Sequence, residues 1–361
     1  MLLAGARIAQ IGHINAAVLE QTGLPLTDID ARECLVTPGI IDPHEHLLGG
    51  SGEEGFATQT PEIALSEIVT SGITTAVGCL GVDTTTKTLP GLLAKVKAYN
   101  AEGITAFLYS GGYNVPPVTL TGSVREDMLF ILEVIGAGEI AIADERSTEP
   151  SVAELARLVR DAYVGGLLSG KSGVTHFHVG SGRERLRQLR ALLDDYDIAP
   201  ESLYPTHVER NEELMQEAVD LSRRGVTVDV DTVEHDLSRW VSFFLQRGGD
   251  PSRLTASSDA AINSPGTLLE QVRDCVLHGS IGLETILPIV TVNTARVLKL
   301  QRKGRLAVGC DADVLVLRRD SLAVAEVIAM GRPFVSGGNP VFRERFLEKS
   351  NRRIELHGGK A

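Results

Sequence analysis

Asp42-Pro43-His44-Glu45-His46 ends an apolar, β-branched run, Val36 to His46, that reads as a β-strand. Residues two apart on a strand share a face, so His44 and His46 point the same way at its C-terminal end. Neutral imidazoles suit zinc and similar divalent ions. H-x-H alone is a weak signal, because polar residues are common at strand ends. Its weight depends on the ends of the other strands.

Further runs of the same character are Ile73–Leu80, Thr105–Ser110, Glu139–Asp144, Val174–Val179, Leu203–Val208, Val226–Val230 and Leu254–Asp259, giving eight candidate strands in all. Amphipathic stretches such as Ser151–Leu168 and Asn211–Arg224 lie between them. The alternation predicts an α/β fold with a parallel sheet, and eight repeats fit a closed (β/α)8 TIM-like barrel better than an open sheet. Such barrels place their active sites at the C-terminal strand ends. His178, His207 and Asp259 occupy those ends here. Structural histidines have no reason to gather on one axis, so a metal centre is the stronger reading. Of the nine histidines, His176 lies deeper on its strand, and His235 is a candidate for supporting the centre. His13, His278 and His357 read as solvated or packing residues.

Two metals held close together need a bridging anion. Glu139 is a carboxylate in an otherwise apolar barrel strand, where an unpaired charge is costly and two cations would remove the cost. The competing reading places Glu139 in a loop outside the barrel. Asp144 has a rival claim, although polar residues are expected at its position near the strand end.

The chain ends differ from the middle. Ala4–Ile11 reads as a short strand; Gly304 to Leu317 runs from a turn into a strand; Ile328–Val335 reads as a hairpin about Gly331-Arg332. The expected organisation is a small β domain from residues 1–35 and 302–345, a barrel over 36–301, and a peripheral tail over 346–361. The net charge of −12 disfavours nucleic acid and anionic membranes as partners. A 43% hydrophobic share with no membrane-length apolar window, and no basic, apolar leader, suggest a cytoplasmic protein. The four cysteines form no C-x-x-C pair, and most of them read as buried, reduced side chains.

Thr37 to His46 resembles the opening of amidohydrolase-superfamily chains, and Gly304-Arg305-Leu306 through Asp311-Ala312-Asp313-Val314 their closing segment. Between them, Leu47 to Glu53, Gly112 to Pro116, Ala143 to Ser147 and Pro205 to Asn211 resemble the isoaspartyl dipeptidases in particular. The resemblance implies metal ligands His44, His46, His178, His207 and Asp259, with Glu139 where family members often carry a carboxylated lysine. It further implies that Glu53 takes a substrate ammonium, Arg146 and Arg210 take carboxylates by forked hydrogen bonds, and Tyr113 donates to the oxyanion. Each has a plainer alternative: Glu53 a solvated loop charge, Tyr113 a packing partner of Pro116, Arg146 a partner of Asp144 or Glu145. Val82 replaces the usual threonine after the second strand, and Asn263 or Ser264 fills a serine's place after Asp259. The N-terminus looks short of the family's first strands, through a misplaced start or an incomplete small domain.

The expectation is a hydrolase of isoaspartyl (β-aspartyl) dipeptides with two divalent ions, zinc by preference. A hydroxide shared by the metals attacks, Asp259 carries the proton, and Tyr113 polarises the carbonyl. Ser264 joins the substrate contacts, and the family suggests a homo-oligomer. The alternatives are an N-acyl-amino-acid deacylase or cyclic-amide hydrolase of the same superfamily, or a non-catalytic scaffold. Lys171 is the candidate bridging lysine should Glu139 not be the bridge.

Overall fold

The computed structural model describes residues 1–348. The expected tail lies outside the described residues from 349 onward. Six strands form one parallel sheet: β4 (Ile40–Glu45), β5 (Ile73–Gly78), β6 (Thr105–Ser110), β7 (Val134–Ile142), β8 (Val174–Val179) and β9 (Leu203–Thr206). This sheet curls as a half-barrel. A second parallel pair, β10 (Val228–Asp231) and β11 (Leu254–Ser257), stands between its two edges. At the β9 edge the Thr206 hydroxyl donates to Asp229 at 2.9 Å. At the β4 edge the Ala260 carbonyl accepts from His46 N at 2.9 Å, and Glu45 and Ala260 form a parallel bridge.

The alternation along β8 shows how the layers arise. Phe177 and Val179 face outward into the main core, which includes Leu155, Val159 and Leu189 from the flanking helices. Val174 faces inward to a floor shared with Ile41, Val77, Tyr109, Ile135, Tyr204 and Leu298. His176 and His178 stand above Val174 on the inner face, one step and two steps up the strand. Helices begin where caps permit. The Ser151 hydroxyl accepts from Glu154 N ahead of the helix Val152–Ser169, and the Asn211 side chain accepts from Leu214 N ahead of Glu212–Arg223.

The expected strand Val36–His46 is two strands in two sheets. β3 (Cys34–Pro38) pairs with β12 (Val314–Arg318), at one edge of an antiparallel sheet continued by β13 (Val324–Ala329), β14 (Arg332–Ser336) and β15 (Asn339–Pro340). Gly39 makes the crossing: its N–H donates to the Asp313 carbonyl at 3.0 Å, while Ile40 N donates to Gly72 in the barrel at 3.1 Å. A Cβ on Gly39 would lie 2.2 Å from Thr74 Oγ1, so only glycine fits the corner. The expected strand Ala4–Ile11 is the turn and second strand of a hairpin between β1 (Leu2–Ala4) and β2 (Arg7–Gln10). β7 starts at Val134, earlier than the expected Glu139, because Val134 to Ala137 already pair with their neighbours. Among the described residues no helix is long and apolar enough to cross a membrane.

Candidate metal centre

Plain alternation fails on both strands that open the site. On β4, Ile41 faces the floor, so strict alternation would send Glu45 inward and His44 outward. The β4/β5 register shifts between Asp42 and Glu45, and His44 and His46 turn into the barrel. On β7 the register with β8 shifts between Ala137 and Ile140, around Glu139. Irregularities of this kind re-aim side chains beside functional sites. His207 (φ 60°) and Asp259 (φ 48°) leave their strands in the left-handed region, which costs non-glycine residues of order 1–3 kcal/mol each.

These departures bring the expected ligands together. Glu139 is fully buried, and its two oxygens face different partners. Oε2 lies 2.7 Å from His44 Nε2 and 3.7 Å from His46 Nε2; Oε1 lies 2.6 Å from His178 Nδ1 and 3.8 Å from His207 Nε2. Asp259 Oδ1 lies 3.3 and 3.2 Å from Nε2 of His44 and His46, which are 3.4 Å apart. An ion with bonds of ~2.0–2.2 Å separates tetrahedral donors by roughly 3.3–3.6 Å. The spacing of His44, His46 and Asp259 therefore suits a divalent ion. Glu139 also belongs to a second group that could hold an ion, with His178 and His207.

The electrostatics favour cations. Burial alone would lower the pKa of His44 and His46, but the anionic surroundings, with Cys79 and Asp259 common to both and Glu139 beside His44, raise both well above the usual imidazole value. Burial would raise Glu139, yet His44 and His178 hold it well below the usual carboxylate range. Asp259 Oδ1 is buried without a hydrogen-bond partner, a cost that a metal would remove. The donor set thus fits divalent metal ions.

Supporting residues fix the ligands. His44 Nδ1 and His176 Nε2 are 2.9 Å apart, and His176 Nδ1 is 2.9 Å from the Tyr204 carbonyl. Burial holds His176 well below the usual imidazole pKa, so it is neutral. Its Nδ1–H donates to Tyr204 and its Nε2 accepts from His44 Nδ1–H, leaving His44 Nε2 free for a metal. On the other side His207 Nδ1 meets Asp231 Oδ2 at 2.6 Å. Burial opposes the charge on His207, but the Asp231 and Glu139 contacts raise its pKa to about 9. Asp42 accepts from His44 N and Ser258 N, each at 3.2 Å, tying β4 to the turn that presents Asp259. Asp231 and the role of His176 escaped sequence reasoning. The signal for Asp231 was Asp229-Val230-Asp231, two acids on one face of a strand.

The remaining expected residues gather around a cavity of about 560 Å³ lined by His46, Glu53, Val82, Tyr113, Arg146 and Arg210, among others. Tyr113 Oη is 2.8 Å from His178 Nδ1, so it does more than pack against Pro116. Arg146 forks onto Asp144 at 2.8 Å through both Nε and Nη2, and Nη1 reaches Glu53 at 2.9 Å. The Arg146 hydrogen bond holds Asp144 far below the usual carboxylate range. Arg210 Nε donates to the Val179 carbonyl at 2.7 Å, fixing the side chain at the wall. Ser264 is elsewhere: it is exposed, its hydroxyl accepts from Gly266 N at 3.1 Å at a helix start, and Ala261 and Ile262 line the cavity on that side. Asn263 donates to the Val233 carbonyl at 3.3 Å. His235 is exposed. Lys171 Nζ donates to the carbonyls of Met128 and Ile131, at 2.7 and 2.5 Å, and so caps a helix end rather than bridging metals.

The amidohydrolase family profile matches residues 244–335. The beta-aspartyl dipeptidase of Fervidobacterium islandicum AW-1 is 37% identical, over 95% of this chain and 94% of that one, with a TM-score of 0.88. A beta-aspartyl dipeptidase structure from the same organism, in complex with β-Asp-Leu, is 38% identical over 88% and 90% of the two chains, with a TM-score of 0.84. A dihydroorotase from Pelotomaculum thermopropionicum is 24% identical over 96% of this chain and 90% of its own length.

Proposed function

Because this chain belongs to the beta-aspartyl dipeptidases of the amidohydrolase superfamily, we propose that it hydrolyses isoaspartyl dipeptides with two divalent ions, zinc by preference. His44, His46 and Asp259 would hold one ion and His178 and His207 the other, with the Glu139 carboxylate between the two groups. The observation that carries this reading is the division of Glu139, one oxygen toward His44 and the other toward His178. When bound, the ions supply a Lewis acid for the scissile carbonyl and make water acidic enough to attack near neutral pH.

The protein's own groups do the rest. Asp259 takes the proton of the attacking water and passes it to the leaving amine. The Tyr113 hydroxyl donates to the oxygen on which charge develops. An isoaspartyl dipeptide carries a free α-ammonium and α-carboxylate on its first residue and a carboxylate on its second. The Glu53–Arg146 ion pair matches the first two, with ammonium to Glu53 and carboxylate to Arg146. Arg210 takes the carboxylate of the leaving residue. These contacts presuppose a (β/α)8 barrel over residues 36–301. The pairing of β3 with β12 supports a small β domain assembled from 1–35 and 302–345.

Val82 in the cavity wall and the likeness to a dihydroorotase favour cyclic-amide hydrolysis as the second reading. Metal-loaded protein assayed on β-Asp-Leu, α-Asp-Leu, N-acetyl-leucine and hydantoin separates the two. Leucine released from β-Asp-Leu alone is the expected result. Turnover of hydantoin or N-acetyl-leucine without β-Asp-Leu would overturn it.

A further inference from the structure

One thiol in the centre has no part in the scheme above. Cys79 follows β5, directed inward above Val77, and is 1% exposed. Its Sγ lies 3.7 Å from Glu139 Oε2 and 3.9 Å from His46 Nδ1. Sγ and donor atoms of His44, His46 and Glu139 all lie within 4.8 Å of one another. The backbone is arranged to keep it there: Cys79 N donates to the Glu45 carbonyl at 3.0 Å, so the ladder that carries the H-x-H strand also fixes the cysteine. The next turn leaves room for the imidazole, since a Cβ on Gly81 would meet His46 Cε1 at 3.0 Å. The other cysteines lie elsewhere. Cys275 is in the outer core, Cys34 packs in the small sheet's core, and Cys310 accepts from Arg305 beyond the barrel.

We propose that Cys79 is a thiolate ligand, beside His44 and Glu139, of the ion that this side of the centre would hold. The inference rests on the metal-dependent reading above. Zinc–sulfur bonds are ~2.3 Å, a little longer than bonds to nitrogen or oxygen, so a sulfur donor stands somewhat further from its fellow ligands. The 3.7 Å to Glu139 is consistent with that spacing. Binding exchanges the thiol proton, released to solvent, for the metal. The half of the centre that contains Cys79 then has a soft donor that the His178–His207 half lacks. Thiolates select zinc and cobalt(II) over magnesium and manganese, so this half should discriminate more sharply among ions.

Two measurements on the intact protein test the assignment. Cobalt(II)-loaded wild type should show a near-ultraviolet thiolate-to-cobalt charge-transfer band. The band should vanish in Cys79→Ser and persist in Cys275→Ser. X-ray absorption of the zinc-loaded wild type needs no variant and should show a sulfur scatterer at ~2.3 Å. Full loading with two ions but neither a charge-transfer band nor a sulfur scatterer overturns the inference and leaves the dipeptidase reading intact. Failure to retain any divalent ion overturns both.

Discussion

The two halves of the proposed metal centre both face Glu139 but are supported differently. On one side His44 is backed by His176, a neutral imidazole that is itself tied to a backbone carbonyl. On the other, His207 is backed by the Asp231 carboxylate at 2.6 Å. A carboxylate partner makes an imidazole more basic and a stronger ligand; a neutral partner fixes its tautomer and adds little charge. The first half has Asp259 to compensate, and Asp259 is also the residue proposed to take the proton of the attacking water. The comparison therefore separates a half built for chemistry from a half built for retention.

The largest effect should come from removing what the halves share. Glu139→Gln should empty both sites, with metal content by elemental analysis and dipeptidase activity falling together to background, because an amide cannot balance two adjacent cations. Retention of one equivalent would show that the halves are independent. Next, Asp231→Asn should weaken metal binding about 10–100-fold, as loss of such partners generally does. His176→Gln should weaken it less, because the glutamine oxygen can still accept from His44. Competition with a chelator measures both, and the reverse order would invert the comparison.

Arg210→Lys tests whether substrate contacts stand apart from both halves. It should raise KM for β-Asp-Leu by about tenfold, the equivalent of about 1.4 kcal/mol, while kcat and metal content stay unchanged, because lysine keeps the charge but loses the fork. The smallest effect should come from Lys171→Ala. It should lower stability by about 1 kcal/mol through the uncapped carbonyls and leave activity and its independence of bicarbonate untouched. Activity that rises on adding bicarbonate to the wild type would reopen the search for a carboxylated lysine.

The residues that gather at the candidate centre were legible because chemistry at strand ends is sparse. His178, His207 and Asp259 needed only the strand ends, His44 and His46 were picked out by their H-x-H spacing, and Glu139 stood out as a charge in an apolar run. Their supports were less visible. His176 looked merely deep, although depth is what lets it reach His44. Cys79 looked like filler because nothing in sequence distance ties it to Glu139. The shifts on β4 and β7 were hidden as well, since alternation cannot announce where it will slip. Ser264 shows the opposite error: a residue type expected after Asp259 serves a helix start, because Ala261 and Ile262 occupy the cavity edge. Arg146 pairs with Asp144, one of the partners its plainer alternative named, and also reaches Glu53, which that alternative did not name.

Gly39 sets an order of events during synthesis. The strand before it, β3, pairs with β12, which is made only after all the strands from β4 to β11 have been translated. Until then the segment that leads directly into His44 has no strand partner, and only the far side of the corner can settle. A chain halted before Val314 would keep every expected ligand and still lack the partner that anchors the first of them. Pairing between such distant segments closes slowly and late, so the centre should gain its final rigidity from the last strands made rather than from those that carry its ligands.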